Sequence, residues 1–384
     1  MSFNVAYTEA DVCNFVEALS QLTDDRDNRG KRHALAFVVA AVVLAILSGR
    51  SKVSSIFRYI RNRIEWLREV TQHPEASVVS RAHLPRLLAR LDWMELNRLI
   101  DTHFGVRLEL NANHDWVAID GKTLRGTLAS GQKQSVVLAI SHERRTLLAQ
   151  APMEGHKASE MMVVRDLLKE SGLERHKVTL DAHHCNPKTT AQIHQAGGQY
   201  IVQIKENQPT LLKQCQDLAI TTEPLSSHSE SDKGHGRLTI REGQCFDISG
   251  LNLAARWSDS GIRTLVVMKR QTLTLAKQKT TCETAYYLSN QELVSEPQGQ
   301  AQELTGAIRE HWHVESDNWI RDVTFDEDHV KTKSSNQAQV MSCLRSLAIR
   351  LLRRFNVSNF QEALEDFADC PSKFEALLRR AKFL

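Results

Sequence analysis

The chain has 384 residues, 41% hydrophobic and 25% charged, which suits two folded domains and excludes a disordered polymer. Its 49 basic and 46 acidic residues leave a formal charge of only +3, so bulk charge makes no case for a nucleic-acid or membrane partner. The 7 cysteines include no C-x-x-C pair, which argues against a disulfide framework or a structural zinc site and for a reducing compartment.

Residues 1 to about 110 read as an all-helical N-terminal domain. The run ALAFVVAAVVLAIL (34–47) falls short of a membrane-spanning helix and lies too far into the chain for a signal peptide. It is expected to be a core helix, in a protein of the cytoplasm without a membrane partner. A helix over 53–70 carries Ile56, Ile60, Ile64 and Leu67 at helical spacing, with Arg58, Arg61, Arg63 and Arg68 on its remaining surface. With Arg29, Lys31 and Arg32 these arginines are candidates for binding DNA ends, although no helix-turn-helix signature accompanies them. A further helical stretch, LPRLLARLD and WMELNRLIDTHF, is expected to break near Asp92.

The texture changes at about residue 115. WVAID (116–120), QSVVLAIS (134–141) and TLLAQAPM (146–153) read as strands, followed by a helix over 158–171 and a strand over 176–182. PKTTAQIHQAG (187–197) opens on proline and closes on glycine, a helix start and stop. A strand over 200–205 and a helix from Pro209 follow. Three consecutive strands predict an antiparallel meander, and the later helical crossovers predict parallel pairing, so the sheet is expected to be mixed. Residues 221–300 read as a β-rich insertion with strands at 237–249, 262–273 and 284–290, and SSHSESDKGHGR as an exposed loop. Two helices, 302–320 and 335–355, close the pattern. The class is α/β, with a domain of residues 111–384 after the helical one.

Asp120 ends the first strand of the sheet and Asp181 the fourth; if the strands are neighbours, both carboxylates share one rim. Acids that close repel, and a cation holds both ionised. Oxygen ligands with room for water and phosphate favour Mg²⁺ or Mn²⁺. IREHWHVESDNWIRD (308–322) offers a third carboxylate, with His311, Glu315 and Asp322 on one helical face and Trp312 and Trp319 packing it onto the sheet. Glu315 is preferred; Asp322, Asp326, Glu327 and Asp328 are the rivals. The plainer readings are a turn or cap role for the aspartates and a solvated glutamate. Gly121 is expected to turn the backbone away, leaving Lys122 and Arg125 to face phosphates, against solvated charge or an ion pair to Asp181. Lys205 and Asn207 lie at the same rim, with helix capping the alternative for Asn207. Zinc at His183, His184 and Cys185 is disfavoured, because adjacent loop residues seldom converge on one ion. His235 reads as a loop residue. Lys331 and Lys333, with Arg345, Arg350, Arg353 and Arg354, make the last helix a candidate phosphate contact or a solvated face.

VAIDGKTLRGT, the K-A-S-E of 157–160, VTLDAHHCNPKTTAQI, YIVQIKENQPTLL, GHGR, REHWHVESDNWIRDVTFDEDHVKTK and SCLRSLAIRLLRR come in this order. Together they resemble the H-repeat-associated (ISAs-type) insertion-sequence transposases, across essentially the whole chain. The resemblance implies a DDE transposase with a ribonuclease-H-like core and Asp120, Asp181 and Glu315 as the Mg²⁺ (or Mn²⁺) triad. It also implies double-stranded DNA, transposon ends and target, as the partner of a homodimer. The chain departs from the pattern at Glu206 of IKENQP, where glycine is usual. Ile308, His311 and Asp322 stand where a related signature has tyrosine, arginine and lysine, so phosphate contacts are expected from other cations; His311 is kept as a candidate DNA contact. The alternatives are a silent descendant kept as a DNA-binding or regulatory protein, and a metal-dependent nuclease that never rejoins strands.

Overall fold

A computed structural model describes residues 14–27, 30–104, 115–125, 127, 134–154, 157–234, 236–293, 297–329, 331–332 and 334–384. The chain divides into two compact units, one drawn from residues up to 106, 124–134 and 318–384, the other from 107–123 and 135–317.

The first unit is helical. Its chain begins with α1 (Phe15–Ala18), α2 (Leu35–Leu47), α3 (Val53–Asn62), α4 (Ile64–Val70), α5 (His83–Leu88) and α6 (Trp93–Phe104). Every residue of α2 after Leu35 is buried, as an all-round apolar helix requires. Around it pack Ile56 and Ile60 of α3, and Leu344, Leu347 and Leu351 of the helix Ser335–Arg354. The expected helix over 53–70 is two, because Arg63 (φ −120°, ψ 20°) interrupts it. The break near Asp92 is present, and the Asp92 carboxylate accepts the Met94 and Glu95 amides at 2.8 and 3.2 Å. Two helices not foreseen, Phe360–Asp369 and Pro371–Arg380, follow the long one.

The expected basic face on Ser335–Arg354 does not form at Arg345 and Arg350, which are only 2% and 7% exposed. Arg345 lies 3.6 Å from Glu327, and Arg350 donates to Asp101 at 3.0 Å. That helix is buried from Gln337 through Leu352, so its interior arginines bind their own unit; Arg353 is half-buried and Arg354 exposed. Arg58 and Arg61 of α3 are exposed, whereas Arg63 donates to the Ala368 carbonyl and Arg68 to Glu65 and the Ala76 carbonyl. Arg29 lies outside the described residues.

The second unit is built on β1 (Trp116–Leu124), β2 (Gln134–Ser141), β3 (Leu147–Glu154), α7 (Lys157–Ser171), β4 (Lys177–Leu180), α8 (Pro187–Gln195), β5 (Gln199–Ile204) and α9 (Pro209–Thr221). Then come β6 (Ser226–Gly234), β7 (Arg237–Asp247), β8 (Thr264–Thr274), β9 (Lys279–Ser289), α10 (Pro297–Glu310) and α11 (His313–Trp319). All strands join one nine-stranded sheet in the order β3-β2-β1-β4-β5-β9-β8-β7-β6. β1, β4 and β5 are parallel, and β9 pairs antiparallel with β5. His142 N donates to Trp116 O at 2.8 Å and Ser135 Oγ to Thr123 Oγ1 at 3.3 Å, so β2 runs antiparallel to β1. The mixed sheet expected from the chain order is therefore present.

Residues 226–234 were expected in a loop and instead form an edge strand paired with β7. Their polarity fits this position: Glu230 faces Arg241 and binds Arg309 of α10 at 3.0 Å, and Asp232 binds Arg241 at 3.2 Å. Charged edge strands also resist pairing with other sheets.

One sheet face carries Val117, Ile119, Val178, Leu180 and Val202 against Val164 and Leu168 of α7, Ile193 of α8 and Leu211 of α9. The other carries Trp116, Ile201, Cys245 and Val266 against Ala301, Leu304, Ala307 and Ile308 of α10. α10 sits close because Gly243 has no side chain; a Cβ there would overlap the Thr305 γ-methyl. Gly243→Ala is expected to lower stability by roughly 1–3 kcal/mol in thermal unfolding. Adding Thr305→Ser, which removes that methyl but keeps the hydroxyl bonded to Ala301 O, should restore most of the loss. No recovery in the double variant would mean the close approach is not what Gly243 serves.

Candidate active site

Parallel strands keep residues level. The β1–β4 register ends at Ile119 opposite Leu180, and the next residue on each strand is an aspartate, Asp120 and Asp181. Neighbouring strands lie about 4.8 Å apart, so the two acids emerge side by side. Asp120 does not end its strand; β1 runs on to Leu124. Burial, followed by the charge of Asp181, pushes the Asp120 carboxyl up to about 6, with Glu160 adding to the repulsion and the Gly121 amide and His184 opposing it. Asp181 also caps the turn Ala182–His184, accepting the His183 and His184 amides at 2.9 and 3.3 Å. The cap role weighed against a site role is thus real, and coexists with the pairing of acids.

The sequence reading missed a third acid at this position. Glu160, in the first turn of α7, lays its carboxylate over Gly121. A Cβ on Gly121 would stand 2.5 Å from Glu160 Oε1. Gly121 is therefore needed for close approach and not, as expected, for a turn, since the strand continues through it. His184 is fully buried behind the acids, its Nε2 3.5 Å from Glu160 Oε1 and 3.9 Å from Asp181 Oδ1. Neither ring nitrogen makes a hydrogen bond. The signal for Glu160 lay in the glycine after Asp120, but a glycine does not name the side chain that covers it.

Glu315 stands in the first turn of α11, solvent-accessible, its carboxyl raised by partial desolvation. The expected helix over 302–320 is interrupted at His311–Trp312, and a π-helical turn (Ile320–Thr324) follows α11. The continuous α-helix expected to carry His311, Glu315 and Asp322 is therefore interrupted. Trp312 and Trp319, expected to pack on the sheet, are 53% and 60% exposed. Of the rival acids, Asp326 binds His329 at 2.7 Å, Glu327 is buried beside Arg345, and Asp328 lies 3.5 Å from Arg125.

The expected cations divide by exposure. Lys205 and Lys331 are exposed, and Arg125 is exposed but bound to Asp328; Lys333 and His235 lie outside the described residues. Lys122 is 5% exposed, so it is an internal charge and not a solvated one. Asn207 does not cap α9, whose cap position is Gln208; its amide donates to the Ala182 carbonyl at 2.6 Å and braces the turn after Asp181. His311 is not a surface cation. Its Nδ1 meets Thr179 Oγ1 at 2.8 Å, and that hydroxyl also meets His142 Nε2 at 3.0 Å. Burial drives His311 down to about 4, against the pull of Asp181, and His142 down to about 3.

The donor set is all oxygen apart from His184, and its crowded carboxylates fit a hard divalent cation. Among the described residues, no three His, Cys, Asp or Glu side chains are already gathered as a metal-binding group. No described helix is long and apolar enough to cross a membrane.

Two family profiles match this chain: DDE_Tnp_1-associated over residues 16–104, and Transposase DDE domain over residues 112–351. The second covers well over half of the sequence. The chain belongs to the DDE transposases. It is 25% identical over 351 residues to the H repeat-associated candidate transposase YhhI of Escherichia coli K12, covering 88% of this chain and 89% of YhhI. Similarity extends over the same shares to the K12 protein YbfL, also at 25%. YncI of Escherichia coli O157:H7, named as a candidate transposase, is 24% identical over 348 residues, 88% of this chain and 87% of YncI.

The buried histidines give the transposase an acid limb. Both have lower pKa values folded than unfolded, so the folded state binds fewer protons below pH 6.5. Their stabilisation is complete above pH 6.5 and is lost as pH falls towards about 3. His142→Gln should make the unfolding midpoint fall less steeply between pH 6.5 and 4.5 than in the unaltered chain. An equally steep fall would exclude His142 as a source of the acid limb.

Proposed function

We propose that this chain is the transposase of an insertion-sequence element, cutting and joining phosphodiester bonds at the element's ends. The observation that carries this reading is the level placement of Asp120 and Asp181, one residue past the last β1–β4 pair. The sheet segment β3-β2-β1-β4-β5, with β1, β4 and β5 parallel and β2 reversed, supports a ribonuclease-H-like core. In this reading residues 111–384 form the catalytic domain, with 221–300 as its β-rich insertion, and 1–110 bind DNA ends through exposed arginines such as Arg58 and Arg61.

Asp120 and Asp181, with Glu315 as the third acid, would hold Mg²⁺ or Mn²⁺. A pair of such ions supplies a hydroxide-like nucleophile at neutral pH and charge for the leaving oxygen. The protein's own part is positional. Asp181 is fixed by the turn it caps, and Asn207 braces that turn through Ala182. Asp120 is held in a half-buried setting where repulsion favours uptake of positive charge. Lys122 adds an internal cation along β1, and Lys205 presents an exposed one just beyond β5 for phosphate. Arg125, Lys331 and Lys333 are separate candidate DNA contacts, and His311 would act through Thr179, two residues before Asp181. The working form on DNA is a homodimer in the cytoplasm, since joining two ends needs two protomers.

The test is strand cleavage and joining on terminal-repeat DNA with Mg²⁺. Asp120→Asn and Asp181→Asn should each lower cleavage by on the order of 10²–10³-fold with folding retained. Full activity in either variant would remove that aspartate from the centre. Cleavage without joining by the unaltered chain would instead identify a nuclease.

A further inference from the structure

We infer that Glu160 is an additional cation-holding carboxylate of this centre, kept over Gly121 and backed by the buried His184. The inference rests on the reading of Asp120 and Asp181 as cation ligands and adds a residue that the triad does not contain.

Two independent features meet at Glu160. Its carboxylate occupies the space of an absent Cβ on Gly121, the residue following Asp120, so it lies against the backbone that carries one acid. And His184, with no exposed surface and no hydrogen bond to either ring nitrogen, directs Nε2 at Glu160 and Asp181, 3.5 and 3.9 Å away. A buried imidazole is ordinarily satisfied. Here it faces two carboxylates, where it acts as a positioning residue for whichever oxygens turn to a cation.

The three acids arrive from separate elements. Asp120 and Asp181 come from adjacent strands, and Glu160 comes from α7, which packs on one face of that sheet through Val164 and Leu168. Glu160 therefore approaches from the α7 side. Two carboxylates leave most of the coordination shell of a divalent ion to water, whereas a third oxygen donor from a different direction limits where the ion can sit.

The experiment measures Mn²⁺ binding by the full chain, using electron paramagnetic resonance and calorimetry in the absence of DNA. Glu160→Gln keeps the shape and removes the charge. Gly121→Ala leaves every carboxylate in the sequence and displaces Glu160, whose flexible end is what a new Cβ would meet. Each should weaken Mn²⁺ binding about tenfold or more relative to the unaltered chain. Unfolding midpoints taken without Mn²⁺ show whether a variant has lost its fold; if Gly121→Ala has, Glu160→Gln and Glu160→Asp decide, with partial recovery expected for Asp. Unaltered binding in Glu160→Gln, together with loss in Asp120→Asn and Asp181→Asn, overturns the role of Glu160 and leaves the two-aspartate reading standing. Binding that none of these five substitutions alters overturns both.

Discussion

Two carboxylates on adjacent parallel strands, each one residue past the last registered pair, repel one another, Asp120 half-buried and Asp181 with 42% of its side chain exposed. Everything else at the centre answers that repulsion. The Ala182–His184 turn gives Asp181 two amide donors, and Asn207 holds the turn from the β5–α9 connection. At Asp120 the Gly121 amide works in the same direction, yet its carboxyl still rises to about 6. A site in that state gains from any cation it admits, because ion binding replaces repulsion with attraction.

The sheet makes this arrangement inexpensive to hold. Parallel β1 and β4 are lined by Val117, Ile119, Val178 and Leu180, whose burial against α7 and α8 fixes the register. A one-residue slip would move that apolar row to the opposite face. The acids are thus located by hydrophobic packing a few ångströms away, and Asp181 also by the turn it caps. On the other face the His142–Thr179–His311 relay ties β4 to α10's end with neutral imidazoles. Its two rings stay uncharged near neutrality because their surroundings are dry.

Membership of the DDE transposases agrees with this geometry without supplying it. The relatives share about a quarter of their residues with this chain over most of its length. At that distance the chemistry has to be argued from side chains. The sheet extension β6 to β9 shows how far polar composition misleads: a run of serines, charges and glycine reads as a loop, yet its edge strand is held by ladder hydrogen bonds and by Glu230 and Asp232 pairing with arginines.

Local pattern was enough for the apolar strands that lead to the two acids, for the all-apolar α2, for the proline-to-glycine helix α8 and for the Asp92 break. Each depends on neighbours in sequence: period, capping and chain stiffness. Local pattern also singled out Asp120 and Asp181, because an acid after an apolar strand stands out in any fold. Tertiary structure alone brought Glu160 to Gly121 and His184 behind both, since these residues are far apart in sequence and meet only when α7 docks on the sheet. It alone turned Lys122, Arg345 and Arg350 inward, because a long cationic chain reads the same whether it is solvated or buried. And it broke the helix at His311, leaving Trp312 and Trp319 exposed: helical periodicity says which residues share a face, but the packing of the finished core decides whether the helix continues and which face is covered.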